Sequence, residues 1–156
     1  ARLDYMVQKT VEMGAGTLQP VLTQFTQVQK LNEDRITANL VEAAEQCGIL
    51  NIPKLEKSLT LENLLKHWPQ TQPDRALIFC DELADASDQA ERLQTISDRP
   101  KAVLIGPEGG FSERERNLLR SKPFVHGLSL GPRILRADTA AVAALAIVQA
   151  FIGDYR

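Results

Sequence analysis

Two stretches carry residue types that could do chemistry. Residues 106–110 read Gly-Pro-Glu-Gly-Gly, and residues 131–139 hold Gly131-Pro132, then Arg133 and Arg136 three apart, then Asp138 and Thr139. Bare glycines let backbone N–H and C=O groups come close to a bound molecule, and positive φ costs them little. Taken alone, the first turn suits a phosphate or dinucleotide held at a helix start, and it equally suits a tight strand-to-helix connection with no ligand. The second stretch changes the balance. Two Gly-Pro turns in one chain, each closing a strand and preceding a helix, can line one crevice at the C-terminal ends of a parallel sheet. A general nucleotide-binding domain is disfavoured, because the chain has neither a Walker lysine nor Gly-x-Gly-x-x-Gly. His, Cys and Asp nowhere gather at ligand spacing, so no metal site is expected.

The elements that must position these turns follow from apolar patterning. Residues 75–80 and 102–105 read as short buried strands, the first followed by Asp81 and Glu82, and residues 125–130 as another. Ser112 with Glu115 three positions on is a capping box that restarts the chain as a helix. Residues 139–151 form a last helix, apolar nearly all round, which in a chain this small predicts an oligomer interface. Upstream, residues 3–13 predict a helix closed by Gly14, and residues 17–25 an edge or irregular strand interrupted by Pro20. Asn32 or Asp34 caps a second helix with the stripe Ile36, Leu40, Ala43, Ala44 and Cys47, closed by Gly48. Residues 52–55 are expected to be extended, 59–68 helical from Thr60, and 69–74 a loop; 85–96 predict a helix with Ala86, Ala90, Leu93 and Ile96 inward. Strands alternating with helices predict one α/β domain, a three-layer sandwich with a mainly parallel sheet.

With 156 residues, 44% hydrophobic and 24% charged, the chain can bury a core of its own. No apolar run reaches membrane-spanning length and no signal peptide is visible. Cys47 and Cys80 stand far apart, read as small buried apolar residues, and suit a reducing cytoplasm. His67 and His126 are isolated and expected at the surface or half-buried. A net charge of −2 does not advertise a nucleic-acid surface. Yet Arg114, Arg116, Arg120, Lys122, Arg133 and Arg136 face only Glu115 within residues 114–136, and the first four equally fit a solvated helix face. The chain begins Ala-Arg-Leu-Asp with no initiator Met, so a fragment or a processed chain without an N-terminal domain is expected.

Ile-Gly-Pro-Glu-Gly-Gly-Phe-Ser at 105–112, followed by Leu-Gly-Pro-Arg-Ile-Leu-Arg-Ala-Asp-Thr-Ala at 130–140, resembles the RsmE family of SPOUT methyltransferases. Residues 4–14, 42–48 and 79–82 extend that likeness over nearly the whole chain. The resemblance implies a deep C-terminal trefoil knot holding S-adenosylmethionine, a homodimer joined at the knot, and methylation of N3 of a uridine in small-subunit ribosomal RNA or the 30S subunit. It implies a cofactor pocket made largely of backbone from three loops. These are Cys80, Asp81 and Glu82; Gly106, Pro107, Glu108, Gly109 and Gly110; and Leu128, Ser129, Leu130, Gly131, Ile134 and Leu135, with Thr139 beyond. Leu130, Ile134 and Leu135 would flank the adenine. Arg136 is favoured to stabilise the uracil anion, Arg133 to hold phosphate or substrate, and Glu108 to act as base, to hold its turn or to pair with an arginine. Asp138 is expected to cap the last helix or pair with an arginine. Two departures stand out: Ile49-Leu50 follow Glu-Gln-Cys-Gly where the family often has arginine, and the family's PUA-like RNA-binding domain has no counterpart here. The expected protein is a cytoplasmic enzyme with no metal and no membrane contact. Another SPOUT RNA methyltransferase, or a cofactor-binding and dimerisation module without activity, stays open.

Overall fold

Residues 76–80, Ala-Leu-Ile-Phe-Cys, are the most deeply covered stretch of the chain. Ala76, Leu77, Ile78 and Phe79 each expose 2% or less. In the computed structural model, which describes residues 2–27 and 30–155, this stretch is the middle strand of a three-stranded sheet. Up to it the elements run α1 (Arg2–Glu12), β1 (Thr17–Leu18), β2 (Val21–Leu22), α2 (Glu33–Gln46), β3 (Lys54–Leu55), β4 (Leu59–Thr60), α3 (Leu61–Thr71) and β5 (Ala76–Cys80). After it come α4 (Gln89–Gln94), β6 (Lys101–Leu104), α5 (Glu113–Arg120), β7 (Val125–Leu128) and α6 (Ala137–Ile152).

The sheet order is β6-β5-β7, with both pairings parallel. A strand that is apolar at every position needs cover on both faces. Leu77 and Phe79 pack with Leu61, Leu65 and Trp68 of α3 and Leu119 of α5. Ala76 and Ile78 turn the other way, to Leu93 of α4, Ile96 just beyond it, and Ala144, Val148 and Ile152 of α6. A third cluster joins α1 to α2 through Val7, Val11, Ile36, Leu40, Ala43 and Ala44. The α/β class with parallel pairing is as expected. Instead of one sheet there are three among the described residues, because β1 pairs with β3 and β2 with β4 in separate two-residue parallel pairs. Proline lacks the N–H a ladder needs, and Pro20 splits residues 17–25 into these two fragments.

Several boundaries move, each for a local reason. The loop expected at 69–74 begins as helix: α3 carries Pro69 inside it and ends at Thr71. Trp68 holds that last turn, donating its indole N–H to the Arg75 carbonyl at 3.1 Å and stacking on Phe124 at 5.8 Å between centroids. The helix expected at 85–96 contracts to α4. Asp85 accepts from Ser87 N–H at 2.8 Å in an Asx-type turn, and Asp88 sits at φ +55° immediately before the helix. Leu93 and Ile96 are buried as expected, but Ala86 and Ala90 are exposed. Cys47 is exposed rather than buried, because α2 ends at Gln46 and Cys47 occupies its C-cap. The strand expected at 125–130 ends at Leu128. Asn32 caps α2 through Arg35 N–H at 3.0 Å. Asp138 caps nothing: α6 starts after Arg136, and the Asp138 carboxylate accepts from Thr139 N–H at 2.9 Å inside the first turn. The α6 faces other than Ala141, Ala144, Val148 and Ile152 are mostly half-buried, and Phe151 is 41% exposed. Among the described residues no helix is long and apolar enough to cross a membrane.

The capping box at α5 is present in full, with Ser112 Oγ accepting from Glu115 N–H and Glu115 accepting in return from Ser112 N–H at 2.9 Å. Glu115 is only 6% exposed, and its other oxygen accepts from Gln24 N–H at 2.7 Å, tying the segment after β2 to α5. Replacing Glu115 by Ala strands two part-buried N–H donors, so stability should fall by about 2 kcal/mol. Urea unfolding measures this, and Glu115→Gln should lose less because its amide oxygen still accepts one bond.

Candidate functional site

Because β6, β5 and β7 run parallel, their C-terminal ends lie side by side. Phe79 pairs with Leu104, and Cys80 with Leu128. The chain therefore leaves the sheet in three adjacent loops, and these are the three segments singled out from the sequence. Cys80, Ile105 and Leu130, one from each exit, are partly buried apolar residues packed on the Ile78–Leu128–Ala144 cluster. They make an apolar floor at the base of the three loops. That combination suits a flat heterocycle read by main-chain groups.

The second loop turns at Pro107–Gly110, with Gly110 N–H donating to the Pro107 carbonyl at 2.8 Å and Gly110 at φ +69°. Gly106 and Gly109 have a packing reason for lacking a side chain. A Cβ on Gly106 would lie 2.7 Å from the Phe111 ring, and one on Gly109 3.0 Å from Phe25 Cβ. Phe111 in turn meets Phe79 edge-on at 5.0 Å. Glu108 is exposed, and no hydrogen bond or ion pair holds its carboxylate among the described residues.

In the third loop Ser129 is buried and clamped by Gln89 of α4, which accepts from Ser129 N–H at 2.8 Å and donates to its carbonyl at 3.3 Å. Beyond it Gly131, Pro132, Arg133 and Ile134 are exposed, Ile134 by 88%. Gly131 takes φ +94°. Leu135 is half-buried, and Arg136 and Thr139 are exposed. Among the described residues neither the Arg133 nor the Arg136 guanidinium has a hydrogen bond or ion pair, so both are available to an anion.

The first loop is held by α5. Asp81 is 4% exposed and accepts from Leu83 N–H at 3.0 Å and from Arg120 through Nε at 3.1 Å and Nη2. Arg116 lies 3.8 Å from the other Asp81 oxygen and donates to Glu82 at 2.7 Å. With both side chains engaged, Asp81 and Glu82 offer a ligand chiefly their backbone. In the sequence Arg116 and Arg120 stand out only as part of a basic stretch, and Gln89 does not stand out. An Arg-x-x-x-Arg pair on a helix following an Asp-Glu strand end was the available signal; Gln89 gave none. Burial pushes the Cys80 thiol up to about 12.

Residues 1–149 match the model of the RNA methyltransferase domain family, and the chain belongs to that family. Among curated relatives, it is 30% identical over 149 residues to the ribosomal RNA small subunit methyltransferase E of Rickettsia conorii, covering 95% of this chain and 59% of that protein. The Buchnera aphidicola enzyme of the same name, from the subspecies Schizaphis graminum, is 29% identical, covering 98% of this chain and 62% of its own length. Among solved structures, the ribosomal RNA small subunit methyltransferase E of Neisseria gonorrhoeae, bound to S-adenosyl methionine, superposes with a TM-score of 0.84 at 26% identity, covering 99% of this chain and 63% of that one. The likeness to the RsmE family read from the motifs is borne out. The chain spans 59% and 62% of the length of these two curated relatives.

Three outcomes test this geometry. Arg120→Ala leaves a buried carboxylate short of partners and should cost about 1–3 kcal/mol in urea unfolding, with Arg120→Lys intermediate. In the folded protein an alkylating reagent at neutral pH should label Cys47 and spare Cys80. A folded-state pKa above the ordinary 9.0 means stability is full below that value and is lost as pH rises toward 12. Cys80→Ala should therefore flatten the alkaline limb of the stability profile.

Proposed function

We propose that this chain is the catalytic domain, residues 1–156, of an S-adenosylmethionine-dependent methyltransferase acting on N3 of a uridine in small-subunit ribosomal RNA. In this reading it is a three-layer α/β sandwich whose C-terminal part forms a trefoil knot, and it works as a cytoplasmic homodimer without metal. One observation carries the reading: three motif-bearing loops leave adjacent parallel strands together, with an apolar floor at their base and two unengaged arginines on the third. Family membership and the S-adenosyl methionine bound to the Neisseria gonorrhoeae relative support it.

The donor set fits such a cofactor. Cys80, Ile105 and Leu130 offer adenine an apolar seat, and the backbone of residues 106–110 and 128–135 offers hydrogen bonds to its polar parts. When bound, S-adenosylmethionine supplies a methyl group already activated as a sulfonium, so the protein's task is chiefly orientation. Uracil N3 must lose its proton, which leaves negative charge shared with the ring carbonyl oxygens. Arg136, fixed at the N-cap of α6, is placed in this reading beside those oxygens, where its guanidinium favours the anion. Arg133 holds a phosphate or the substrate, and the unengaged Glu108 carboxylate is the candidate to receive the N3 proton.

Calorimetric titration of the folded protein with S-adenosylmethionine should show saturable binding; none would overturn the whole reading. Arg136→Ala should keep cofactor affinity and lower methyl transfer to small-subunit RNA by about 100-fold or more. Full activity in that variant would remove Arg136 from the transfer step.

A further inference from the structure

A depression of about 840 Å³ lies between α3 and α5. Pro73, Arg99 and Phe124, which precede β5, β6 and β7, line it, so it sits at the N-terminal ends of the same strands. A five-residue strand puts that end about 15 Å from the loops, while Arg114 carries the other end to the start of α5. Its floor is closed: Trp68 and Phe124 line it but are only 5% and 9% exposed, stacked on each other. Its rim carries Lys66, Arg99, Arg114 and Lys122 against the single acid Glu62. Glu62 is taken by Arg114 at 2.9 Å. Arg99 spends only its Nε, on the Asp74 carbonyl at 3.0 Å, and no ion pair engages Lys66 or Lys122 among the described residues. Burial, and then the Arg99 guanidinium, lowers the His126 imidazole below its ordinary value, so it adds no charge near neutral pH.

An excess of three cations in one groove, on a chain whose net charge is −2, is a local anion-binding surface. The aromatic rings are sealed and the exposed apolar lining is Pro69, Pro73 and Pro123, which give bases no ring to stack on, while the rim offers charge and N–H donors that match a phosphate backbone. We propose that this α3–α5 groove is a second RNA contact, gripping backbone phosphates without reading sequence and anchoring the substrate away from the transfer loops. The proposal rests on the RNA methyltransferase reading, and names a surface that reading does not need.

The test is Lys66→Glu/Lys122→Glu in the protein carrying this chain, with binding to small-subunit ribosomal RNA fragments measured across a salt series and S-adenosylmethionine binding measured in parallel. RNA affinity should fall about tenfold or more, the slope of log affinity against log salt should flatten by about 1–2, and cofactor affinity should stay unchanged. Lys54→Glu/Lys57→Glu, which changes net charge equally, should leave RNA affinity within about twofold. If the double reversal does not fold, Lys66→Gln/Lys122→Gln should show the same slope change with a smaller loss. A parental slope in the groove variant, an equal loss in the control pair, or a loss confined to an acidic protein partner overturns the proposal. Failure of the parent to bind S-adenosylmethionine would instead sink the methyltransferase reading, and the salt series would still report on the groove.

Discussion

Strand β5 is flanked on both sides by parallel neighbours, and most of the molecule follows from that pairing. Parallel strands cannot be joined by a tight hairpin; each connection must return across a face of the sheet, usually as a helix. The return from β5 to β6 carries α4, and the return from β6 to β7 carries α5 past β5 to its other side. Those two returns bury the alternate faces of β5, Ala76 and Ile78 against one layer and Leu77 and Phe79 against the other. They also force all three chain exits onto one edge. A chemistry that needs several backbone segments around one ligand can be assembled there without any segment leaving its strand.

Helix α5 fixes what the exits look like. Its first turn is pinned by Ser112 and Glu115, and Glu115 reaches beyond the helix to Gln24. One turn further, Arg116 and Arg120 hold Asp81 and Glu82 at the end of β5. Burying the Asp81 carboxylate costs solvation that an exposed pair would not lose, and the Leu83 N–H and two guanidinium groups offset it. Arg120 keeps nearly half its side chain in solvent, at 46% exposure, so the pairing contributes modestly to stability and mainly sets where the first loop runs.

What the sequence disclosed and what it hid divide along the same physical line. Apolar runs at 75–80 and 102–105 reveal the strands found at 76–80 and 101–104, and the Ser112–Glu115 spacing reveals a helix start, because both signals are local. The two-residue strands β1 to β4 leave no such run, and their partners lie far along the chain. Pro69 looked like a helix stop, but tertiary contacts of Trp68 outweigh one missing N–H near a helix end. The Asp81–Arg120 pair spans 39 residues and the Gly109–Phe25 contact 84, beyond any periodicity. The glycines were legible as glycines; that Phe111 and Phe25 fill the space beside two of them was not. Assignment of the loops to one site came from motif resemblance, and the sheet order supplies the reason those motifs meet.

Net charge is a poor guide to whether such a chain can meet a polyanion, and the placement of its acids explains why. Asp81, Glu82 and Glu62 are each paired with an arginine of α5, and Glu115 is turned inward onto two N–H groups. Acids neutralised in this way no longer oppose cations elsewhere, since a close pair looks nearly neutral beyond the Debye length of about 8 Å. Cations left without an ion pair include Arg133 and Arg136 beside the loops and Lys66, Arg99 and Lys122 toward the far end of the sheet. A polymer of phosphates long enough to span the sheet would meet positive charge at both ends, with Glu113 the one α5 acid left unengaged among the described residues. A chain of net charge −2 can thus present a basic path where the acids along that path, here Glu62, Asp81, Glu82 and Glu115, are spent on holding its own structure in place.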